Sequence, residues 1–359
     1  MKITSIDIAP LKIGLKKPFV TALRRVDEID DIVIKIYTDS GLSGYGAACA
    51  VTAITGTTNE AVLNDLKKTI FPSLIGQEID NNSIFAALQS LKVSPEAKAC
   101  VDIALYDLLA KENSQSLFQY LGAHSNELQT DLTVSVNEAE DMAADAIDAI
   151  TQGFSVLKIK LDSDVQKNIY RLNKINSALS PHIKLRLDPN QALDFQSCLN
   201  ILQSVRTDNV ECIEQPFPRT DIQLMKSLKE KSIVPVLADE SLFDFNDAKR
   251  LLEDGAVDML NIKLMKCGGI HEAIRIAQFA KSQNIECMIG SMLEGPISLL
   301  AATHFALSQD NITMADLDSP FYLNPHPLLE PFHLYNDRIC LDDTSGLGVD
   351  KIIQDLKLF

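Results

Sequence analysis

From Leu128 onward the chain alternates short β-rich runs with helical stretches, and this alternation leaves few folds open. The runs are Asp131–Val136, Val156–Leu161, Lys184–Asp188, Val210–Glu214, Val234–Ala238, Met259–Leu264, Glu286–Ser291 and Ile312–Asp318. Strands separated by helices do not close as hairpins; they lie parallel, each joined to the next by a crossover helix. Eight such units in succession point to a closed (β/α) barrel rather than an open sheet.

Residues 1–125 follow a different pattern. Strand-like runs at Lys2–Ile13, Asp31–Thr38 and Gly44–Val51 form a meander, and the segment Asp39-Ser40-Gly41-Leu42-Ser43-Gly44-Tyr45-Gly46 joins the last two. No helix follows that glycine-rich segment directly, so it is read as a hairpin turn and not as a phosphate loop. Apolar residues at Val101, Ala104, Leu105, Leu108 and Leu109 predict an amphipathic helix within Ser94–Gly122, started by Ser94-Pro95 and stopped by Gly122. The tail Arg338–Phe359 returns to strand-then-helix character. The expected organisation is an α+β capping domain over residues 1–125, with segment 321–359 packing back on it, and a barrel over residues 126–320.

The polar residues at the strand ends keep step with the barrel units. Lys160 ends the second run, Asp188 the third, Glu214 the fourth and Asp239 the fifth, and Lys263 lies in the sixth; successive positions are 28, 26, 25 and 24 residues apart. Barrel enzymes draw their functional residues from the C-terminal ends of several strands. Three carboxylates side by side in one mouth repel unless a cation neutralises them. Oxygen ligands without His or Cys favour Mg²⁺, with Mn²⁺ the alternative. Residues i and i+2 of a strand share a side, so Lys158 and Lys160 enter one space, where each is expected to disfavour the other's charge and lower its pKa. Strands two and six lie opposite one another in an eight-stranded barrel. A substrate held between Lys160 and Lys263 would have an amine on each face, the arrangement for inverting a stereocentre.

Composition bounds the partners. A net charge of −16 without a basic stripe argues against nucleic acid, and no apolar run approaches a membrane span. The N-terminus alternates like a strand and lacks the apolar core of a secretory signal. The cysteine count of seven is odd and no pair has Cys-x-x-Cys spacing, as expected of reduced thiols in a cytoplasmic protein. The six histidines show no ligand spacing.

With Lys158-Ile159-Lys160, Asp188-Pro189-Asn190-Gln191, Ile213-Glu214-Gln215-Pro216, Ala238-Asp239-Glu240-Ser241, Asn261-Ile262-Lys263 with Gly268-Gly269, and Gly346-Leu347-Gly348-Val349, the chain resembles the enolase superfamily, in its muconate-lactonizing-enzyme-like subgroup. Pro189 stands where small residues are commoner in that family. The resemblance implies a capping domain and a modified (β/α)₇β TIM barrel, with one Mg²⁺ per subunit on Asp188, Glu214 and Asp239. Lys160 and Lys263 become the acid/base pair, and Lys158 the residue tuning Lys160. Asp316-Leu317-Asp318, at the end of strand eight, resembles the dipeptide epimerases, where the pair holds the substrate's α-ammonium. Thr21-Ala22-Leu23-Arg24 resembles the loop of L-Ala-D/L-Glu epimerases, where the arginine, Arg24 here or its neighbour Arg25, pairs with the glutamate side chain. Ser135, Ser291, Met292 and Glu294 are expected to line the pocket. The implied activity is a two-base 1,1-proton transfer through a metal-stabilised enediolate, inverting the C-terminal residue of a dipeptide, with L-Ala-D/L-Glu the preferred substrate. N-succinylamino acid racemase, o-succinylbenzoate synthase and muconate-type cycloisomerase are the alternatives, and a homodimer or octamer is the expected assembly.

Overall fold

The structure is a computed structural model of the 359-residue chain, in which residues 1–21, 24–80 and 83–359 are described. A three-stranded antiparallel sheet opens the chain: β1 (Ile3–Val20), β2 (Arg25–Thr38) and β3 (Ser43–Ala48), in the order 1-2-3. β1 and β2 pair from Ile3↔Thr38 to Val20↔Arg25, well past the runs that alternation predicts. Gly14 and Pro18 are poor strand formers and break the pattern, and the register shifts between Gly14 and Phe19. The turn between β2 and β3 forms as expected, with Gly41 at φ +83° and its N–H donating to Thr38 O at 3.2 Å.

The glycines of β3 make room for a neighbour. A Cβ on Gly46 would lie 1.9 Å from Cys100 O, and one on Gly44 would lie 2.3 Å from Ala104 O. The helix Pro95–Glu112 therefore rests directly on β3. It starts at Ser94-Pro95 as predicted but ends at Asn113, short of Gly122; a separate turn of helix, Leu117–Tyr120, fills the gap. It is buried from Ala97 to Lys111 almost without a break, because sheet and barrel cover both its sides.

β4 (Glu127–Gln129) leads into the barrel. The barrel strands are β5 (Leu132–Val134), β6 (Val156–Lys160), β7 (Lys184–Asp188), β8 (Val210–Glu214), β9 (Val236–Ala238), β10 (Met259–Ile262), β11 (Cys287–Gly290) and β12 (Ile312–Asp316). They run parallel in sequence order, with helices between successive strands. Asp131 N–H donates to Ala315 O at 3.2 Å and Leu317 N–H to Thr130 Oγ1 at 2.9 Å, which brings the first strand against the last. This is the modified (β/α)₇β barrel. β13 (Phe332–Tyr335) then pairs with β14 (Arg338–Leu341), which pairs with β4, and the tail returns to the helix Pro95–Glu112: Leu347 N–H donates to Asp107 Oδ1 at 2.8 Å. Among the described residues no helix is long and apolar enough to cross a membrane.

Gly46→Ala should destabilise the protein by about 3 kcal/mol, because its Cβ meets backbone rather than a movable side chain. Denaturant titration of the variant against wild type measures this.

Candidate active site

The barrel interior has two layers. Cys212, Leu237, Met259 and Met288, with Met314 packed against them, form a small apolar cluster separate from the main core. Toward the C-terminal strand ends the interior is ionic. Lys158, 1% exposed, lies 3.0 Å from Asp188 Oδ2, 2.6 Å from Glu214 Oε2 and 2.7 Å from Asp316 Oδ2. Lys160 Nζ donates to Asp188 Oδ2 at 2.5 Å and to Asn190 Oδ1 at 3.2 Å. Across the mouth, Lys263 Nζ donates to Asp239 Oδ2 at 2.8 Å, while Lys266 Nζ donates to Asp239 Oδ1 and to its backbone carbonyl. Gly290 makes room for this, since a Cβ there would lie 2.6 Å from Asn261 Oδ1 and 2.9 Å from Lys263 Cε.

One pocket in the barrel mouth is lined by Lys158, Lys160, Lys263, Asp316, Asp318, Arg24, Ser291 and Met292, all anticipated from sequence. Asp188, Glu214 and Asp239 lie behind the lysine ammoniums, fully buried. Arg24 Nη2 donates to Met292 O, whereas Arg25 starts β2 and pairs with exposed Asp27 at 3.1 Å. Ala22 and Leu23, also part of the expected loop, lie outside the described residues.

Two of the expected residues stand just outside the pocket lining. Ser135 does not line the pocket; its Oγ accepts the Val20 N–H at 3.3 Å and so ties the barrel to β1. Glu294 lies behind the pocket wall, where its Oε1 accepts the Met292 N–H at 3.0 Å. Thr133 and Asn190 line the pocket and were missed. Asn190 follows Asp188 by two residues in left-handed backbone at φ +43°, a local turn that no periodicity encodes.

The charge on Lys158 also departs from expectation. Burial opposes it, but the carboxylates of Asp188, Asp316 and Glu214 prevail and hold its pKa well above the ordinary value. Its spacing to Lys160 predicts a depression; the surrounding acids reverse the sign. Burial likewise opposes the charge on Lys263, and Asp239 holds it protonated.

Seven buried acids (Asp131, Asp188, Glu214, Asp239, Glu240, Asp316, Asp318) meet five buried cations: Lys158, Lys160, Lys263, Lys266 and Arg186. The deficit shows in the carboxyls pushed upward. Burial, with Asp188 and Asp239 nearby, raises Glu214 to about 7 against the pull of Lys158. Burial beside Asp239 raises Glu240 to about 8. Glu214 Oε2 also lacks a partner in hydrogen-bond geometry, although Lys158 is close. Asp188, Glu214 and Asp239, three buried carboxylates from consecutive strands, offer only oxygen donors, the set a hard divalent cation takes.

A second acidic group forms where β12 meets β5. Asp131, Asp316 and Asp318 offer oxygens within 4.8 Å of one another, a spacing that could hold an ion and that, among the described residues, Asp188, Glu214 and Asp239 do not meet. Donors are already there: Arg186 Nη1 is 2.8 Å from Asp131 Oδ2, Lys158 engages Asp316, and the neutral Thr133 N–H donates to Asp318 Oδ2 at 2.8 Å. Asp316 and Asp318 face the pocket and present acceptors to a positively charged ligand.

Comparison with known proteins agrees with this geometry. Residues 3–122 match the N-terminal domain of mandelate racemase / muconate lactonizing enzyme, and residues 141–352 match the enolase C-terminal domain-like family. The L-Ala-D/L-Glu epimerase of Clostridium acetobutylicum is 38% identical over 356 residues, 98% of this chain and 99% of that protein. A substrate-liganded complex of the L-Ala-D/L-Glu epimerase from Bacillus subtilis superposes with a TM-score of 0.92 at 35% identity, over 97% of this chain and 98% of that one. The dipeptide epimerase from Enterococcus faecalis V583, complexed with Mg and the dipeptide L-Leu-L-Tyr, gives a TM-score of 0.91 at 36% identity, over 97% and 99%.

The raised acids carry a pH signature. Glu214 titrates near 4.5 when free and about 7 in the folded protein, so the folded state holds the extra proton. Its contribution to stability is fully present below pH 4.5 and is lost as pH rises through about 7. Chelator-treated protein should therefore lose melting temperature between pH 5.5 and 8 (roughly the window of these acids), and Mg²⁺ should flatten that slope. Thermal melts across this range, with and without the ion, give the comparison.

Proposed function

The chain belongs to the enolase superfamily, and on that premise we propose that it is a Mg²⁺-dependent dipeptide epimerase that inverts the α-carbon of the C-terminal residue, with L-Ala-D/L-Glu the preferred substrate. The observation that carries this reading is a single pocket into which Lys160 and Lys263 project from β6 and β10, four strands apart in an order of eight, with Asp316 and Asp318 beside them. In this reading, residues 1–125 and the tail form the cap, and residues 126–320 the catalytic barrel.

Each residue then has a chemical task. Asp316 and Asp318 accept the free α-ammonium of the dipeptide, a group that an N-succinyl or muconate substrate lacks. Arg24 meets the side-chain carboxylate of the glutamate, for which a planar guanidinium is suited. One of Lys160 and Lys263 enters neutral and removes the α-proton from its face; the other, protonated, delivers a proton to the opposite face, and the reverse reaction exchanges the roles. Lys158 stays charged throughout and favours the extra negative charge that the substrate carries once deprotonated. Asp188, Glu214 and Asp239 would hold the Mg²⁺, which supplies further electrostatic stabilisation to the substrate carboxylate. A family relative solved with Mg and a dipeptide supports the choice of metal and of substrate class.

With L-Ala-L-Glu in D₂O, product and recovered substrate should gain deuterium at the glutamate α-carbon. A dipeptide panel showing no exchange at any α-carbon overturns the proposal. Lys160→Ala and Lys263→Ala should each lower kcat by about 10³-fold or more, since general acid–base groups contribute 10²–10⁴-fold. Asp316→Asn should raise KM for dipeptides about tenfold while sparing kcat more, the pattern for a residue that binds the ammonium in ground and transition states alike. Unchanged dipeptide KM in Asp316→Asn would remove the ammonium role.

A further inference from the structure

The pocket wall beside Asp316 is the loop Ser291–Gly295, which follows β11, and several of its backbone groups are held by side chains. Ser291 N–H donates to Asp316 O at 3.2 Å. Met292 N–H donates to Glu294 Oε1 at 3.0 Å, and Met292 O accepts from Arg24. Leu293 O accepts from the Cys49 thiol at 3.8 Å. Gly295 N–H donates to Asp31 Oδ2 at 2.9 Å. Three of these holders, Arg24, Asp31 and Cys49, belong to the N-terminal α+β unit.

The loop needs such support. Leu293 has φ +62°, a left-handed conformation that costs a non-glycine residue of order 1 kcal/mol or more. In that conformation it lines the pocket beside Ser291 and Met292. Gly295 is in contact with the cap: a Cβ there would lie 2.5 Å from Asp31 Oδ2 and 2.8 Å from Ile29 Cδ1. Asp31 itself is 1% exposed, is absent from the pocket lining, and has no task in the proton transfer.

We propose that Asp31 is a positioning residue: from the cap, it fixes the loop 291–295 in its strained conformation and so shapes the subsite that receives the dipeptide. The proposal rests on the epimerase reading for its substrate but not for its geometry. Burial, together with Glu294 nearby, raises the Asp31 carboxyl to about 8, so its neutral form predominates at neutral pH. An asparagine matches that form in shape and keeps an acceptor for the Gly295 N–H. Asp31→Asn is therefore the conservative rescue, Asp31→Ala the disruption, and Gly295→Ala an independent disruption from the loop side.

The test pairs two readouts on the full-length protein. The first is hydrogen–deuterium exchange of peptides covering 291–295, measured without substrate. The second is steady-state epimerisation of L-Ala-L-Glu with Mg²⁺ present. A hydrogen bond to a carboxyl is worth enough to shift a local equilibrium about tenfold or more. Asp31→Ala should thus speed exchange in the loop about tenfold and raise KM by a similar factor, with kcat held within about threefold. Asp31→Asn should match wild type in both. Equal losses in Asp31→Asn and Asp31→Ala, or a lowered melting temperature with loop exchange and KM unchanged, overturn the proposal. Should Asp31→Ala not fold, Gly295→Ala carries the test, and wild-type loop exchange and KM in that variant overturn it. Loop exchange that responds as expected while wild-type protein turns over no dipeptide leaves the positioning intact and defeats the epimerase reading instead.

Discussion

The ammonium of Lys158, held by three carboxylates inside the barrel, is the interaction on which the rest of the structure depends. An isolated charge at that depth costs several kcal/mol even after relaxation, and only close pairing offsets it. One buried charge therefore demands others. Asp188, Glu214 and Asp316 satisfy Lys158, and their remaining valences call in Lys160 and Asn261, whose Nδ2 donates to Glu214 Oε1 at 2.8 Å. Arg186 bridges from Asp131 to the Ala315 carbonyl at 2.8 Å and extends the network to the seam between first and last strands. The apolar filling that usually occupies a barrel is confined to the small cluster of Cys212, Leu237, Met259 and Met288.

So much charge at one end of a barrel sets a condition on the cap. In water these attractions would be weak; they gain strength as solvent is excluded. Besides the apolar core that cap and barrel share, the cap meets the barrel through carboxylates that accept backbone N–H groups. Asp102 Oδ1 accepts from Ile270 at 2.5 Å, at the start of the helix Ile270–Ser282, and a Cβ on Gly269 would collide with it. Asp31 does the same toward Gly295. Each contact satisfies a donor that burial would otherwise leave unpaired, and each has a fixed direction, so cap and barrel meet in one orientation.

The strand-end residues were legible because they break a local rule on a regular schedule. A lysine or carboxylate closing an apolar run is conspicuous, and recurrence once per β/α unit aligns the positions on one face of the barrel. Asn190, Thr133 and Lys266 carry no such mark. Asn190 enters the site through a left-handed turn, Thr133 sits within a strand of ordinary composition, and Lys266 reaches Asp239 from the first turn of the short helix Leu264–Cys267. Asp31 was read only as the first residue of a strand, since its partner lies 264 positions away. The same limit explains the sign of the Lys158 shift. Two lysines at i and i+2 predict mutual depression, and only the folded chain shows how many carboxylates intervene. Ser135 and Glu294 lie in the expected neighbourhood, one bonded to β1 and the other to its own loop.

That charge balance bears on how two lysines could share a proton transfer. A lysine that donates to a buried carboxylate is a poor base, and Lys263 is held protonated by Asp239. The acids that restrain the lysines are Asp188 for Lys160 and Asp239 for Lys263, two of the three suited to a divalent cation. Compensation of those acids would relax the hold on both lysines at once. Lys158, kept charged by Asp316 even then, would act on Lys160 with the like-charge repulsion that their spacing predicts. On the proposed reading the carboxylates would serve two states of the protein, neutralising the lysines without the ion and releasing them when another cation takes their charge.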